Sequence, residues 1–355
     1  VTSIVISSSE AYSGKSAICI GLGTILRNKG YCVGYMKPIG NILTDVDGVL
    51  ADEDSMAISR ILNLPDSASE ITPILQTESL ISDTIRGIEL GLDKKLLDAH
   101  AVISKNKDIV LIEGTGVIGG GAMYNLSDPE IAAKLSSKIL LITRYDSVFA
   151  VDRILCELKL IPDSKMFLGI ILNAVSASNL KNVTEHIVPF LEKRGVRVFG
   201  VMPQDNILRS VLVSDLVEDL HGEVLAGRDN LDNLVEHYLV GAMEVNSAIK
   251  YFRRVPNCAV IAGGDRSDLL LAAIEAKVRC LVLTGNLRPS EAVLGSAQEA
   301  NIPVILVHGD TMNTIGRMER LIGRAHIKQD VKRNRIVKLI EANIDVDSLI
   351  KEIGL

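Results

Sequence analysis

Ile4-Val5-Ile6-Ser7-Ser8-Ser9-Glu10-Ala11-Tyr12-Ser13-Gly14-Lys15-Ser16 is the stretch whose reading decides the fold. Its three aliphatic residues predict a short buried strand, and the run from Ala17 to Leu26 predicts a helix. A strand, a loop of small residues and a Gly-Lys-Ser entry into a helix form the setting of a phosphate-binding loop. There, backbone amides close around phosphate oxygens, a lysine reaches the terminal phosphates and a hydroxyl holds Mg²⁺. The candidate cradle is Ser9, Glu10, Ala11, Tyr12, Ser13, Gly14, Lys15, Ser16 and Ala17. Ser9 occupies the position where the strict G-x-x-x-x-G-K-[ST] pattern has glycine. The plainer alternative is a serine-rich turn in which Ser13 caps an ordinary helix.

Downstream of this loop, Tyr31 to Met36 predicts a second strand ending at Lys37, at the sheet edge where open α/β folds bind ligands. Thr44 to Asp54 is rich in Asp and Gly and is expected to be a loop. Asp45, Asp47, Asp52 and Glu53 are expected to be mostly solvated charge there. Asp54, just before a helical pattern, is the candidate metal ligand among them. Asp108-Ile109-Val110-Leu111-Ile112-Glu113-Gly114 predicts a central parallel strand that delivers a carboxylate to the same edge. Glu113 would then polarise water or share Mg²⁺ with Ser16, as a Walker B acid does. Further strands are expected at 138–143, 167–173 and 196–203. The second of these ends in Asn173, whose amide offers both a donor and an acceptor to an adenine edge or simply starts a turn. Alternating strands and helices up to Pro203 describe a parallel sheet with helices on both faces.

The remainder alternates again. Strands are expected at 259–264, 279–285 and 303–307, each followed by a helix, so 204–325 predicts a smaller α/β domain. Gly263-Gly264 ahead of Asp265 is either an anion nest or a tight turn. Residues 326–355 predict a helical tail with Arg333, Arg335 and Lys338 on a solvated face.

With 355 residues, 47% hydrophobic and 23% charged, the chain has material for two soluble domains. A net charge of −6 argues against nucleic acid, which clustered Lys and Arg would bind. The five cysteines stand singly in apolar runs, as small hydrophobes in a reducing compartment do. The first strand begins near Val1 and no apolar run suits a membrane span, so no signal peptide, no membrane and a cytoplasmic location are expected. No general base stands out: His186, His221, His237, His308 and His326 are expected to be structural or on the surface.

Taken together, Ser13-Gly14-Lys15-Ser16, Tyr35-Met36-Lys37-Pro38-Ile39, Asp54, Glu113-Gly114-Thr115-Gly116 and Gly169-Ile170-Ile171-Leu172-Asn173 resemble the dethiobiotin-synthetase-like P-loop family. Gly263-Gly264-Asp265-Arg266-Ser267-Asp268 and Leu283-Thr284-Gly285 resemble a DRTGG domain. The same two-part arrangement is found at the front of long bacterial phosphate acetyltransferases. The resemblance implies that Lys15 and Lys37 contact phosphates or the activated substrate and that Ser16, Asp54 and Glu113 bind Mg²⁺. It places adenine by Asn173 and the 200–205 segment, including Pro203. It also implies a homodimer, a small-molecule metabolite as substrate and a place for a partner protein on the DRTGG domain. Ser8, Asn41 and Thr115 depart from the family's pattern, and the last two lie where the diamine substrate would bind, so dethiobiotin synthesis itself is not expected. Acetyl transfer by these residues alone is not expected either. Two functions remain open: an ATP- and Mg²⁺-dependent enzyme that phosphorylates a carboxylate or carbamate oxygen, and a nucleotide-sensing regulatory module without turnover.

Overall fold

Six strands build the first sheet: β1 (Thr2–Ser8), β2 (Val33–Met36), β3 (Ile109–Glu113), β4 (Lys138–Arg144), β5 (Phe167–Val175) and β6 (Val198–Pro203). They lie in the order β6-β5-β4-β1-β3-β2, and every neighbouring pair is parallel. A computed structural model describes residues 1–46, 48–323 and 330–355. Asp47 and His326 lie outside the described residues.

The sheet is aliphatic on both faces because helices cover both. Val5, Met36, Val110, Ile112, Ile139 and Leu141 share one core. The alternate residues Ile4, Ile6, Tyr35 and Leu111 are also buried, toward the opposite face. Helix α1 (Lys15–Asn28) packs on β1, β2 and β3. The helices that bear on the site are α2 (Glu53–Ile61), α3 (Asp128–Lys134) and α4 (Phe149–Glu157), of which α3 packs against β1 and β4. Strand β1 has β3 on one side and β4 on the other. The chain therefore changes direction across the sheet beside β1, which opens a crevice at its carboxyl end.

One expectation is corrected here. The stretch 44–54, read as a loop, contains an antiparallel hairpin, Leu43–Val46 with Val49–Asp52. Leu43, Val49 and Leu50 are exposed on it while Ala51 and Asp52 are buried. Of the Asp and Gly residues that suggested a loop, Asp45 and Asp52 stand in its strands and Asp54 in α2, while Gly48 lies at the turn, where its N–H donates to Asp45 Oδ1 at 2.9 Å.

The chain divides into two compact units, Val1–Gln204 with Ile327–Leu355, and Asp205–His326. In the second unit, β7 (Glu223–Ala226), β8 (His237–Val240), β9 (Cys258–Gly263), β10 (Cys280–Thr284) and β11 (Val304–Leu306) lie in the order β7-β11-β10-β9-β8. All pairings are parallel except β7 with β11. Val260, Leu281 and Leu283 point into one core and Ile261, Cys280 and Val282 into the other.

The segment read as a tail is part of the first unit. Helix α5 (Asp330–Asn343) packs along α1 with Ile336 and Ile340 buried. After it, Ile344 bridges to Gly200, and Asp345 N–H donates to the Phe199 carbonyl at 2.8 Å before the last helix, Val346–Ile353. Among the described residues, no helix is long and apolar enough to cross a membrane.

Candidate nucleotide site

The loop between β1 and α1 ends on Gly14, whose φ of 100° is left-handed. A Cβ there would stand 2.4 Å from Asn173 Nδ2, so both the backbone conformation and the neighbouring amide call for glycine. No side chain caps α1, which leaves its first amides facing the loop. Ser13 Oγ is buried without a partner in the same turn, while the Ser13 carbonyl accepts a hydrogen bond from Asn173 Nδ2 at 2.7 Å.

Ser9 departs from the strict motif for a visible reason. Its Oγ lies 2.6 Å from Thr143 Oγ1 at the end of β4, so its side chain serves the sheet rather than filling the cradle. Glu10 is fastened as well, accepting from Arg153 of α4 at 3.3 Å. Ala11 and Tyr12 are exposed, Tyr12 with a φ of 57°.

Lys15, buried, donates from Nζ to Ser8 Oγ at 2.6 Å and to the Gly116 carbonyl at 2.8 Å. Burial lowers its pKa, and the nearby charges of Glu113 and Asp128 oppose that shift. Ser16 Oγ donates to Glu113 Oε1 at 2.7 Å, and Tyr35 OH donates to Glu113 Oε2 at the same distance. Lys15 and Ser16 thus meet Glu113, 97 residues beyond Ser16 in sequence, at the crevice beside β1.

Lys37 is buried at the end of β2, where it donates to Asp52 Oδ1 at 2.8 Å and lies 3.9 Å from Asp54 Oδ2. Burial opposes its charge, but Glu113, Asp52 and Asp54 together hold its pKa above the ordinary lysine value. Of the two acids, Asp54 has a side chain 40% exposed, whereas Asp52 is fully buried. Asp52 also accepts from the amides of Asn41, Ile42 and Ser55. It is the N-cap of α2, a role that Asp52-Glu53-Asp54-Ser55 could have signalled, because a capping Asp accepts from the amide three residues on.

Asp128 opens α3 on the other face of the sheet. It accepts from Ser7 Oγ at 2.6 Å and from Thr115 N–H at 3.3 Å. Complete burial pushes its pKa up to about 7 despite these bonds and the nearby Lys15. Sequence patterns hide it, since Ser127 and Glu130 form a capping box around it and make it look like an ordinary first-turn acid. Tyr35 was read only as part of the second strand and of the segment ending in Lys37, with no role of its own.

Asn173 is committed twice, through Nδ2 to Ser13 and through Oδ1 to the amide of Ala174 at 2.8 Å. Pro203 ends β6 beside Val175, and Asp205 then accepts from Leu208 N–H. In the second unit, a Cβ on Gly264 would stand 1.7 Å from the Leu287 carbonyl oxygen. Gly264 is therefore required by the approach of two loops, which favours the plain turn over an anion nest.

A family described as an AAA domain matches residues 2–211. The chain belongs to this family. A DRTGG domain matches residues 215–321. Together the P-loop AAA domain and the DRTGG domain form a pair shared with phosphate acetyltransferases. A phosphate acetyltransferase of Synechocystis sp. is 27% identical over 98% of this chain and 51% of its own length. That of Nitratidesulfovibrio vulgaris is 27% identical over the same shares. The chain spans about half the length of the curated relatives it matches. Among solved structures, the CBS and DRTGG domains of the regulatory region of Clostridium perfringens pyrophosphatase, complexed with the activator diadenosine tetraphosphate, overlap 43% of this chain and 70% of that one. The identity is 20% and the TM-score 0.28.

Proposed function

We propose that the first unit of this AAA-domain protein binds ATP with Mg²⁺ and passes the γ-phosphoryl group to a carboxylate or carbamate oxygen of a small metabolite. The observation that carries this reading is the gathering of two buried ammonium groups, Lys15 and Lys37, in the field of one carboxylate, Glu113. A loop that only grips phosphate has use for the first lysine; a second one on a separate strand suits a charge that develops during transfer.

The residues fit Mg²⁺. Ser16 and Glu113 present hard oxygen donors, and Asp54 presents a partly exposed carboxylate near Lys37. Among the described residues no three His, Cys, Asp or Glu side chains form a ready metal cage. A cation that arrives with its nucleotide needs only one or two carboxylates. When bound, it would neutralise charge on the phosphate oxygens.

In the proposed transfer, the acceptor oxygen forms a bond to the γ-phosphorus while the bond to the β–γ bridging oxygen breaks, and ADP leaves with that electron pair. The carboxylate attacks as the anion, so no general base is required. Lys15 would exchange Ser8 and the Gly116 carbonyl for phosphate oxygens, and Lys37 would balance charge beside the acceptor. ADP release should rise with at least one compound in a panel of small carboxylates and carbamates, and Lys15→Ala should abolish that rise.

A second reading, nucleotide sensing without turnover, is favoured by the bond from Lys37 to the fully buried Asp52. Tight nucleotide binding with no compound stimulating ADP release would select it. A cytoplasmic homodimer, and a partner protein on the DRTGG domain, belong to the same proposal. Sedimentation near 38.4 kDa, the mass of one chain, would refute the dimer.

A further inference from the structure

The carboxylate of Glu113 is held in two unlike ways. Its residue is 3% exposed, at the end of β3. Oε1 accepts from Ser16, which is partly accessible at the start of α1. Oε2 accepts from Tyr35, which is 0% exposed.

Register explains how the phenol reaches it. Tyr35 pairs with Leu111 across β2 and β3, so Tyr35, Leu111 and Glu113 share one face, and the long tyrosine side chain spans the diagonal to the strand end. Helix α1 closes that face, and the phenol therefore has no route to solvent.

We propose that Tyr35 is a positioning residue: its hydroxyl anchors Glu113 Oε2 in the core and so leaves Oε1, on the Ser16 side, as the oxygen offered to a divalent cation. The inference rests on the Mg²⁺–nucleotide reading above. A carboxylate free at both oxygens can rotate and sample chelating and one-point geometries. A carboxylate pinned at one oxygen cannot. The hydrogen bond to Ser16 is the exchangeable one, since its hydroxyl can turn a lone pair toward a cation, whereas the bond to Tyr35 stays in place. Groups that orient a metal's ligand are typically worth about 10–100-fold in metal affinity.

The test is calorimetric titration of the full chain with ADP, in Mg²⁺ and in EDTA, for wild type, Tyr35→Phe and Glu113→Gln. Phe keeps the ring, and a melting curve checks that the fold is kept. The expected result is that Tyr35→Phe weakens Mg²⁺ binding to the ADP complex by about tenfold, while affinity in EDTA stays within about twofold. Glu113→Gln sets the full loss. Mg²⁺ affinity unchanged in Tyr35→Phe, in a wild type that depends on Mg²⁺, would overturn the role of Tyr35 alone. An equal fall in Mg²⁺ and in EDTA would show a merely structural tyrosine and overturn it too. A wild type that binds ADP without any Mg²⁺ dependence, or not at all, would overturn the underlying reading along with it.

Discussion

At the carboxyl edge of the first sheet, Lys15, Lys37, Asp52, Glu113 and Asp128 are all buried. At the corresponding edge of the second, among the described residues, the buried polar side chains are the hydroxyls of Thr284 and Thr314. Both edges carry glycine-rich turns after parallel strands, so backbone pattern alone does not tell them apart. Their glycines differ in purpose: Gly14 turns left-handed beneath an open helix end, while Gly264 lets one loop rest on another. Burying a charge is costly unless it is paired, and a protein that concentrates several at one edge is holding them for a ligand more often than for stability.

The contrast can be broken or sharpened by experiment, beginning with the largest effect. Asp128 titrates near 7 when folded and near 3.8 when unfolded, so the folded state holds its proton more tightly between those values. Its contribution is complete below about pH 4 and is lost as pH rises toward 7. Asp128→Asn should remove that slope and gain on wild type by about 3 kcal/mol between pH 4.5 and 7.5, most of the roughly 4 kcal/mol that the full shift represents. Urea unfolding of the first unit at pH 4.5 and 7.5 measures it, and equal slopes in both proteins would contradict the buried-acid account.

Next is Lys15→Ala. Loss of its charge-assisted bonds to phosphate should cost about 2–3 kcal/mol, or roughly 100-fold in nucleotide affinity. Calorimetry reads this directly, and an unchanged affinity would take the cradle away from the first unit. On the other side of the comparison, Gly264→Ala should destabilise the second unit by about 1–3 kcal/mol through overpacking against Leu287. Nucleotide affinity should stay within about twofold; a strong fall in affinity would mean that the second edge also serves a ligand. The smallest effect is expected for Thr284→Val. It removes the contact between the Thr284 and Thr311 hydroxyls, which are 2.9 Å apart, and should cost about 1 kcal/mol in thermal unfolding with no change in binding.

How far the sequence carried these conclusions depended on whether the signal was local. Strand β3 was readable because four aliphatic residues followed by an acid leave few alternatives. Lys15, Ser16 and Glu113 were readable because their neighbours along the chain define the geometry. Tyr35 and Asp128 were not, since each acquires its role from a residue far away in sequence, Glu113 for one and Ser7 and Thr115 for the other. The hairpin of 43–52 was missed because Asp45 and Asp52, residues that strands seldom carry, stand inside its two short strands. Asp52 was taken for solvated charge because composition gives no sign of which acid in a cluster is buried, although the capping pattern from Asp52 to Ser55 was there to read. The last helices looked like a tail because amphipathicity shows that a face is covered without saying by what.

The return of α5 to pack on α1 has a consequence for how the protein is made. A ribosome delivers the strands and the phosphate loop first, then the whole of Asp205–His326, and only afterwards the helix that shields one side of α1. The nascent first unit must wait through the synthesis of an entire folding neighbour with that apolar flank uncovered, so it becomes complete after the unit that follows it in the chain.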